Sequence, residues 1–377
     1  MLPTTSSISP TLYTLPAPAM SAAELYWPPK VYPVTAEDAN HHKRALFVCP
    51  FTPAILANPS PLLHALGYAA SQATERCIVL FSTPTGPQLY PALRAAPKQH
   101  FAALSRFLAQ VYSVLAAGQW EAGRPLTDVE VRFDGEEGDW ALKLGSLSFV
   151  IGFEGFEGLA ADILAQAAPD LTSNERRLVQ IEPELDQLVQ NAGELPTASE
   201  LGYKVSAMGG TFDHLHAAHK LLLHMALFAT EQRLIVGVMA HRLLATKSHA
   251  AVLDNLDTRL GAATAFLRRC GGEARGIVLD VVEIQDALGP TAWDPEISLL
   301  VVSKETLSGG NMVNRVRGEK GLSVLDMLAI DVISSEFAHD KRSTRDLSAV
   351  EEALLKDAKM GSTGIRDFIA RQQQSQQ

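Results

Sequence analysis

Cysteine is scarce in this chain. Its 377 residues include three, Cys49, Cys77 and Cys270, far apart and in no Cys-x-x-Cys spacing. That excludes a disulfide framework and fits a reducing compartment, so the expected location is cytoplasmic. Positive charge is also in short supply. A formal net charge of −10 excludes broad, sequence-independent nucleic-acid binding, which needs a basic face. No apolar run reads as long enough to span a bilayer, so no membrane partner is expected. Before Lys30 the one charged side chain is Glu24, and the segment has no arginine. Neither a secretory signal nor a mitochondrial presequence is therefore expected there. Seven of the 21 prolines fall in the first 33 residues, mixed with Ser and Thr. Such a segment buries too little to offset its ordering entropy, so residues 1–40 read as a disordered Pro/Ser-rich tail. There is no internal sequence repeat and no P-loop pattern.

What remains is an ordinary globular composition, 47% hydrophobic and 20% charged, with length enough for two domains. In residues 41–190, Ala45–Cys49 and Cys77–Phe81 are apolar runs suited to buried strands. Helices are expected near 60–75 and 99–117. Val129-Glu130-Val131-Arg132-Phe133 alternates, Gly135 to Gly138 turns the chain, and 141–151 returns it, which predicts a hairpin. This reads as an accessory α/β or α+β domain with no chemical constellation of its own. Residues 172–190 read as a polar helix capped by Ser173 or Asn174, and 191–200 as a linker. From 201 to 377 strands and helices alternate. Strands are expected at 203–207, 234–238, 277–282, 299–303 and 328–333, with helices at 217–230, 254–270 and 311–320. The continuous β-branched runs predict a Rossmann-like doubly wound parallel sheet, which binds ligands beyond its strand C-termini.

The most informative stretch joins the first strand and helix of that region: Met208-Gly209-Gly210-Thr211-Phe212-Asp213-His214-Leu215-His216-Ala217-Ala218-His219-Lys220. Gly209 and Gly210 allow backbone to approach a ligand. The free amides of the helix start favour an anion. His216 and His219, three residues apart, share a helix face and can add donors. Any one of these histidines alone would read as a packed or surface residue. Four of the chain's 11 histidines fall between 214 and 224, and that clustering points to chemistry.

Gly210-Thr211-Phe212-Asp213 followed by His216-Ala217-Ala218-His219 resembles the signature of the nucleotidyltransferase superfamily, whose core motif is His-x-Gly-His. The surroundings resemble the eukaryotic type of phosphopantetheine adenylyltransferase. Further segments carry the likeness. They are Gly237 to Lys247, with Arg259 beyond it; Ile284 to Thr291, with Asp286; Val302-Ser303-Lys304-Glu305-Thr306 through Asn314 and Arg317 to Leu322; and Lys359 to Ile369. The last is similar to the superfamily's Ser-Ser-Thr-x-Ile-Arg, with Gly361 in place of the first serine. The resemblance covers about residues 203–370.

It implies adenylyl transfer from ATP to 4′-phosphopantetheine, giving dephospho-CoA and pyrophosphate in coenzyme A biosynthesis, with Mg²⁺ carried in on ATP. His219 and His216 are then expected at the transferring phosphate, and Lys247 on the phosphates of both substrates. Thr211 would orient the acceptor, and Asp286 would help form the pantetheine side. ATP would be gripped by Gly209, Gly210, Thr211, Phe212, Arg317, Ser362, Thr363 and Arg366. Neither nucleic acid nor membrane is an expected partner; a homo-oligomer or a coenzyme A-pathway complex is compatible with the family. Ala218 departs from the motif glycine, and an ATP pocket altered by one methyl group is the expectation. Two other readings compete with this one. A catalytically weak nucleotide-binding regulatory subunit is opposed by the retained His216, His219, Lys247 and Arg366. A zinc hydrolase of metallo-β-lactamase type would use His214, His216 and His219, but Ala218 stands where its motif needs a carboxylate.

Overall fold

The computed structural model describes residues 12–13, 43–170, 176–180, 183–191, 193–197, 199–330 and 361–375. The tail read over 1–40 lies outside these apart from Leu12–Tyr13, as do Ser173 and Asn174.

The described residues form two parallel sheets. The first has six strands: β1 (Leu12–Tyr13), β2 (Arg44–Pro50), β3 (Arg76–Ser82), β4 (Asp128–Phe133), β5 (Phe149–Phe153) and β6 (Arg176–Val179), in the order β1-β6-β5-β2-β3-β4. The second has β7 (Tyr203–Gly210), β8 (Thr230–Met239), β9 (Val278–Ile284), β10 (Leu299–Ser303) and β11 (Asp326–Ile330), in the order β11-β10-β7-β8-β9. Leaving β1 aside, both sheets run 3-2-1-4-5 when counted from their own first long strand. The chain thus repeats one doubly wound plan twice, a repeat its sequence does not display. Each sheet reverses direction beside its first strand, at β2/β5 and at β7/β10. In doubly wound folds that switch point is where ligands bind.

The C-terminal half follows its pattern closely. Helices occupy Ala217–Ala229, Leu256–Arg269 and Leu307–Glu319. β11 spans Asp326–Ile330, and the expected continuation to 333 lies outside the described residues. The second of these helices starts at Asn255, whose side chain accepts from Thr258 N, a typical N-cap.

The N-terminal half departs from expectation in three places. There is no hairpin. β4 is an edge strand parallel to β3, Trp140–Leu144 is a short helix capped by Asp139, and β5 lies across the sheet between β2 and β6. The alternation in β4 misled because its polar positions do not face water: Glu130 and Arg132 are fully buried. Glu130 accepts from Arg132, from Arg76 at 2.8 Å and from Arg269 at 3.1 Å. Together these cations hold its carboxyl far below the usual range despite burial. Residues 176–179 are a strand, and the helix read over 172–190 is confined to Pro183–Gln190. Proline supports a helix only at its first turn, so the helix begins there. Finally, the helix Pro97–Glu121 has 25 residues and is long and apolar enough to cross a membrane, a length the sequence did not suggest. Here it is a core element, burying Phe101, Leu104, Phe107, Leu108, Val111 and Leu115.

The two sheets share one core. Tyr90 stacks on Phe133 at 4.6 Å, and its hydroxyl meets His224 Nε2 at 3.2 Å from the helix Ala217–Ala229. Arg269 reaches Glu130 across the same seam.

Candidate active site

The site grows from the end of β7, the central strand of the second sheet. Leaving Gly210, the chain takes left-handed backbone at Phe212 (φ 50°) and His214 (φ 46°). Such φ values strain residues with a Cβ and persist where the surroundings impose them. Arg259 supplies part of that constraint. Fully buried, its Nη1 donates to Thr211 O at 2.9 Å and Met239 O at 2.8 Å, tying the ends of β7 and β8 together. Gly210 has a packing reason as well, since a Cβ there would meet the Phe212 ring at 3.0 Å. Gly209 is exposed at the strand end.

His216 is the N-cap of the helix Ala217–Ala229 and makes no side-chain capping bond. The first-turn amides therefore lack intrahelical acceptors and point outward. The His216 and His219 rings stack with centroids 3.8 Å apart, and Phe212 packs on His219 at 5.2 Å. Nε2 of His216 lies 3.0 Å from Ser362 Oγ, across 146 positions of sequence. Among the described residues, Nδ1 of both His216 and His219 has no partner. Burial, reinforced for His216 by the neighbouring His219, Lys220, His214 and Arg366, holds that ring well below the ordinary histidine pKa. Burial pulls His219 down to about 3, although Asp213 opposes the shift. Both imidazoles are thus neutral near pH 7, each with one N–H to donate.

Ser362 and Thr363 open the helix Ser362–Ser375, so a second set of free amides meets the first. Arg366, one turn in and buried, does not face an open pocket. Its Nη1 donates to Asp213 Oδ2 at 2.8 Å and its Nε to Ser248 O at 2.9 Å. Lys247 is exposed and directly precedes Ser248, whose carbonyl holds Arg366.

One expected residue, Arg317, is engaged elsewhere. Arg317 is fully buried, and its guanidinium donates to Ser323 O at 2.7 Å, Thr291 O at 2.8 Å and Asp294 O at 2.9 Å. It anchors loops behind β10 and offers no fork to a phosphate. Asp286 uses its Oδ1 to accept from Leu288 N at 2.9 Å and Gly289 N at 2.8 Å, organising its own turn. Those two amides lower its pKa. Nor do the three motif histidines converge as zinc ligands. Nε2 of His214 faces Val252 O at 2.8 Å, and His214 clusters with Asp213 and Asp254. Three of that cluster's four carboxylate oxygens already accept hydrogen bonds. Asp213 Oδ1 accepts from Asp254 N and Asp254 Oδ2 accepts from His214 N, while Arg366 takes the other Asp213 oxygen.

Asp213 and Ser248 were not singled out from sequence, although both hold Arg366. A buried carboxylate inside a glycine-histidine motif is a usable signal for the first; the second contributes a backbone oxygen that any residue type could supply.

Comparison with known proteins bears on the family. Residues 207–344 match the family model described as cytidylyltransferase-like. The chain is similar to the phosphopantetheine adenylyltransferase of Thermococcus kodakarensis, at 33% identity over 143 residues, covering 38% of this chain and 82% of that protein. It is 40% identical over 131 residues to the phosphopantetheine adenylyltransferase of Saccharomyces cerevisiae, covering 35% of this chain and 42% of that one. An uncharacterized protein of Schizosaccharomyces pombe is 34% identical over 201 residues, covering 51% of this chain and 58% of that protein. The match thus spans less than two thirds of each fungal relative.

Proposed function

This chain belongs to the phosphopantetheine adenylyltransferase family of nucleotidyltransferases, and on that premise we propose that it transfers the adenylyl group of ATP to 4′-phosphopantetheine. The observation that supports this most is the 3.0 Å approach of His216 Nε2 to Ser362 Oγ. It joins two helix starts, each with free amides, around two neutral imidazoles. Such a corner suits a triphosphate.

An oxygen of the 4′-phosphate attacks the α-phosphorus of MgATP, the bond from that phosphorus to the β-phosphate bridging oxygen breaks, and pyrophosphate leaves with the electron pair. The nucleophile is already an anion, so no general base is required, and catalysis is positioning and charge neutralisation. His219 donates to the α-phosphate oxygen that gains charge, and His216 assists along the triphosphate. Lys247 brings up the acceptor phosphate, and Thr211 orients it. The amides at Ser362 and Thr363 take the β- and γ-phosphates. Mg²⁺ enters as part of the substrate, carried in on the phosphates of ATP.

The test is pyrophosphate release by the full chain with MgATP and 4′-phosphopantetheine. Release with a nicotinamide mononucleotide or phosphocholine acceptor instead would overturn the substrate assignment, and ATP binding without release would favour a regulatory subunit.

A further inference from the structure

We propose that the N-terminal unit is a brace that fixes how the two helix starts of the active site face each other, gripping one through Asp128–Lys220 and the other through Trp120–Phe368. The proposal rests on the adenylyl-transfer reading and extends it to residues outside the site.

The N-terminal sheet repeats the plan of the catalytic sheet but has closed the corresponding corner. After β2, its central strand, Thr52 caps the following helix by accepting from Ile55 N at 3.2 Å, and Pro53 occupies the first turn. Thr52 is 2% exposed. Capping by Thr52, the missing N–H of Pro53 and burial leave that helix start little to offer a phosphate. The unit therefore keeps the fold without the anion site.

What it does offer is contact with both helices that carry that site. Lys220 directly follows His219 and is 2% exposed. It pairs with Asp128 at the start of β4, and its Nζ donates to Val129 O at 2.9 Å. Phe368, two residues past Arg366, meets Trp120 edge to face at 5.8 Å. Trp120 and Asp128 belong to the N-terminal unit, one near the end of the helix Pro97–Glu121 and the other on β4.

Between the two grips the seam is open. A cleft of about 360 Å³ separates them, lined by Trp120, Asp128, Leu215, His216, Lys220 and Ile365 among others. The helix Ala217–Ala229 packs on the helix Pro97–Glu121 further along, and at the open cleft the two discrete contacts are what tie the helix starts to the N-terminal unit. Lys220 and Trp120 are thus positioning residues, acting through His216, His219 and Ser362.

The experiment compares full-length Trp120→Ala, Trp120→Phe, Asp128→Asn and Asp128→Glu with wild type. Steady-state pyrophosphate release gives kcat and KM for ATP, and hydrogen–deuterium exchange follows segments 215–223 and 361–369. A misplaced pair of helix starts costs about tenfold to a hundredfold in kcat, with a smaller change in KM. We expect that loss in Trp120→Ala and Asp128→Asn, with rescue by the Phe and Glu variants. Exchange should quicken at 361–369 for Trp120→Ala and at 215–223 for Asp128→Asn. If wild type is active and both disruptive variants keep kcat within about twofold, the brace is refuted, whether or not exchange changes. If wild type makes no pyrophosphate, the adenylyl-transfer reading fails, and exchange alone decides: unchanged rates at both segments refute the brace as well.

Discussion

Arg366 donates to Asp213 at 2.8 Å across 153 positions of sequence, with both side chains buried. This pair closes the site from behind, because Asp213 belongs to the loop after β7 and Arg366 to the helix Ser362–Ser375. Removing one partner leaves an uncompensated buried charge, which costs about 3–5 kcal/mol. Asp213→Asn keeps the shape and removes the charge. We therefore expect a lower urea midpoint and loss of ordered contact between the two helix starts. A midpoint equal to wild type would show that Arg366 finds another partner and that the pair does not hold the corner.

The neutral imidazoles give a second prediction. His219→Ala removes a donor to the reacting phosphate, so the rate should fall about a hundredfold to a thousandfold with the circular dichroism spectrum unchanged. Near-normal turnover would reassign the role.

Their titration gives a third. His219 has a folded pKa of about 3 and His216 one well below normal, both beneath the value of the unfolded chain. Between those values the unfolded chain binds more protons. The contribution is complete above the unfolded histidine pKa and is lost as pH falls toward the folded values. A bound triphosphate favours imidazolium and raises both. Nucleotide binding near pH 6 should therefore take up protons, read as a dependence of calorimetric binding enthalpy on buffer ionisation. His216→Gln and His219→Gln should reduce that uptake; an uptake equal in wild type and both variants assigns it to other groups.

How far the site could be read from residues alone depended on sequence distance. The run from β7 through His219 is contiguous, and its glycines, histidines and apolar periodicity belong to adjacent elements, so strand, turn and helix were all legible. The second sheet was legible for the same reason, since a parallel sheet buried on both faces writes continuous apolar runs. β4 was not. A period of two marks a face, but cannot say whether the polar residues on it meet water or, as with Glu130 and Arg132, a buried ion cluster. Arg317 shows the same limit. Guanidinium forks suit phosphates and backbone carbonyls alike, and only the fold brings Thr291, Asp294 and Ser323 around it.

That contrast makes Arg317 and Lys247 a useful pair. Replacing Arg317 by alanine leaves four carbonyls, those of Thr291, Asp294, Ile297 and Ser323, without this donor, at about 1–3 kcal/mol for each buried group left unsatisfied. The expected result is a clear drop in the thermal midpoint, with KM for ATP unchanged in whatever protein remains folded. Lys247 is exposed, so Lys247→Ala should leave stability within about 0.5 kcal/mol and lower turnover. A change in ATP affinity for a folded Arg317 variant would return that residue to the phosphates.

Ala218 is the second residue of the helix that carries the histidines, and it is partly buried. It stands where the family motif has glycine. Its amide belongs to the free first turn, and its methyl group is the sole addition to the backbone at that point. Ala218→Gly removes that methyl from the face on which the nucleotide is expected and should lower KM for ATP. The same change loosens the helix start by at most about 1 kcal/mol, since glycine costs that much against alanine in a helix interior and less near an end. The two readouts have opposite signs, tighter ATP and a slightly lower thermal midpoint, so a general loosening cannot imitate the effect. An unchanged KM would mean that the phosphates rest on the amides and rings of the corner without touching the Ala218 methyl at all.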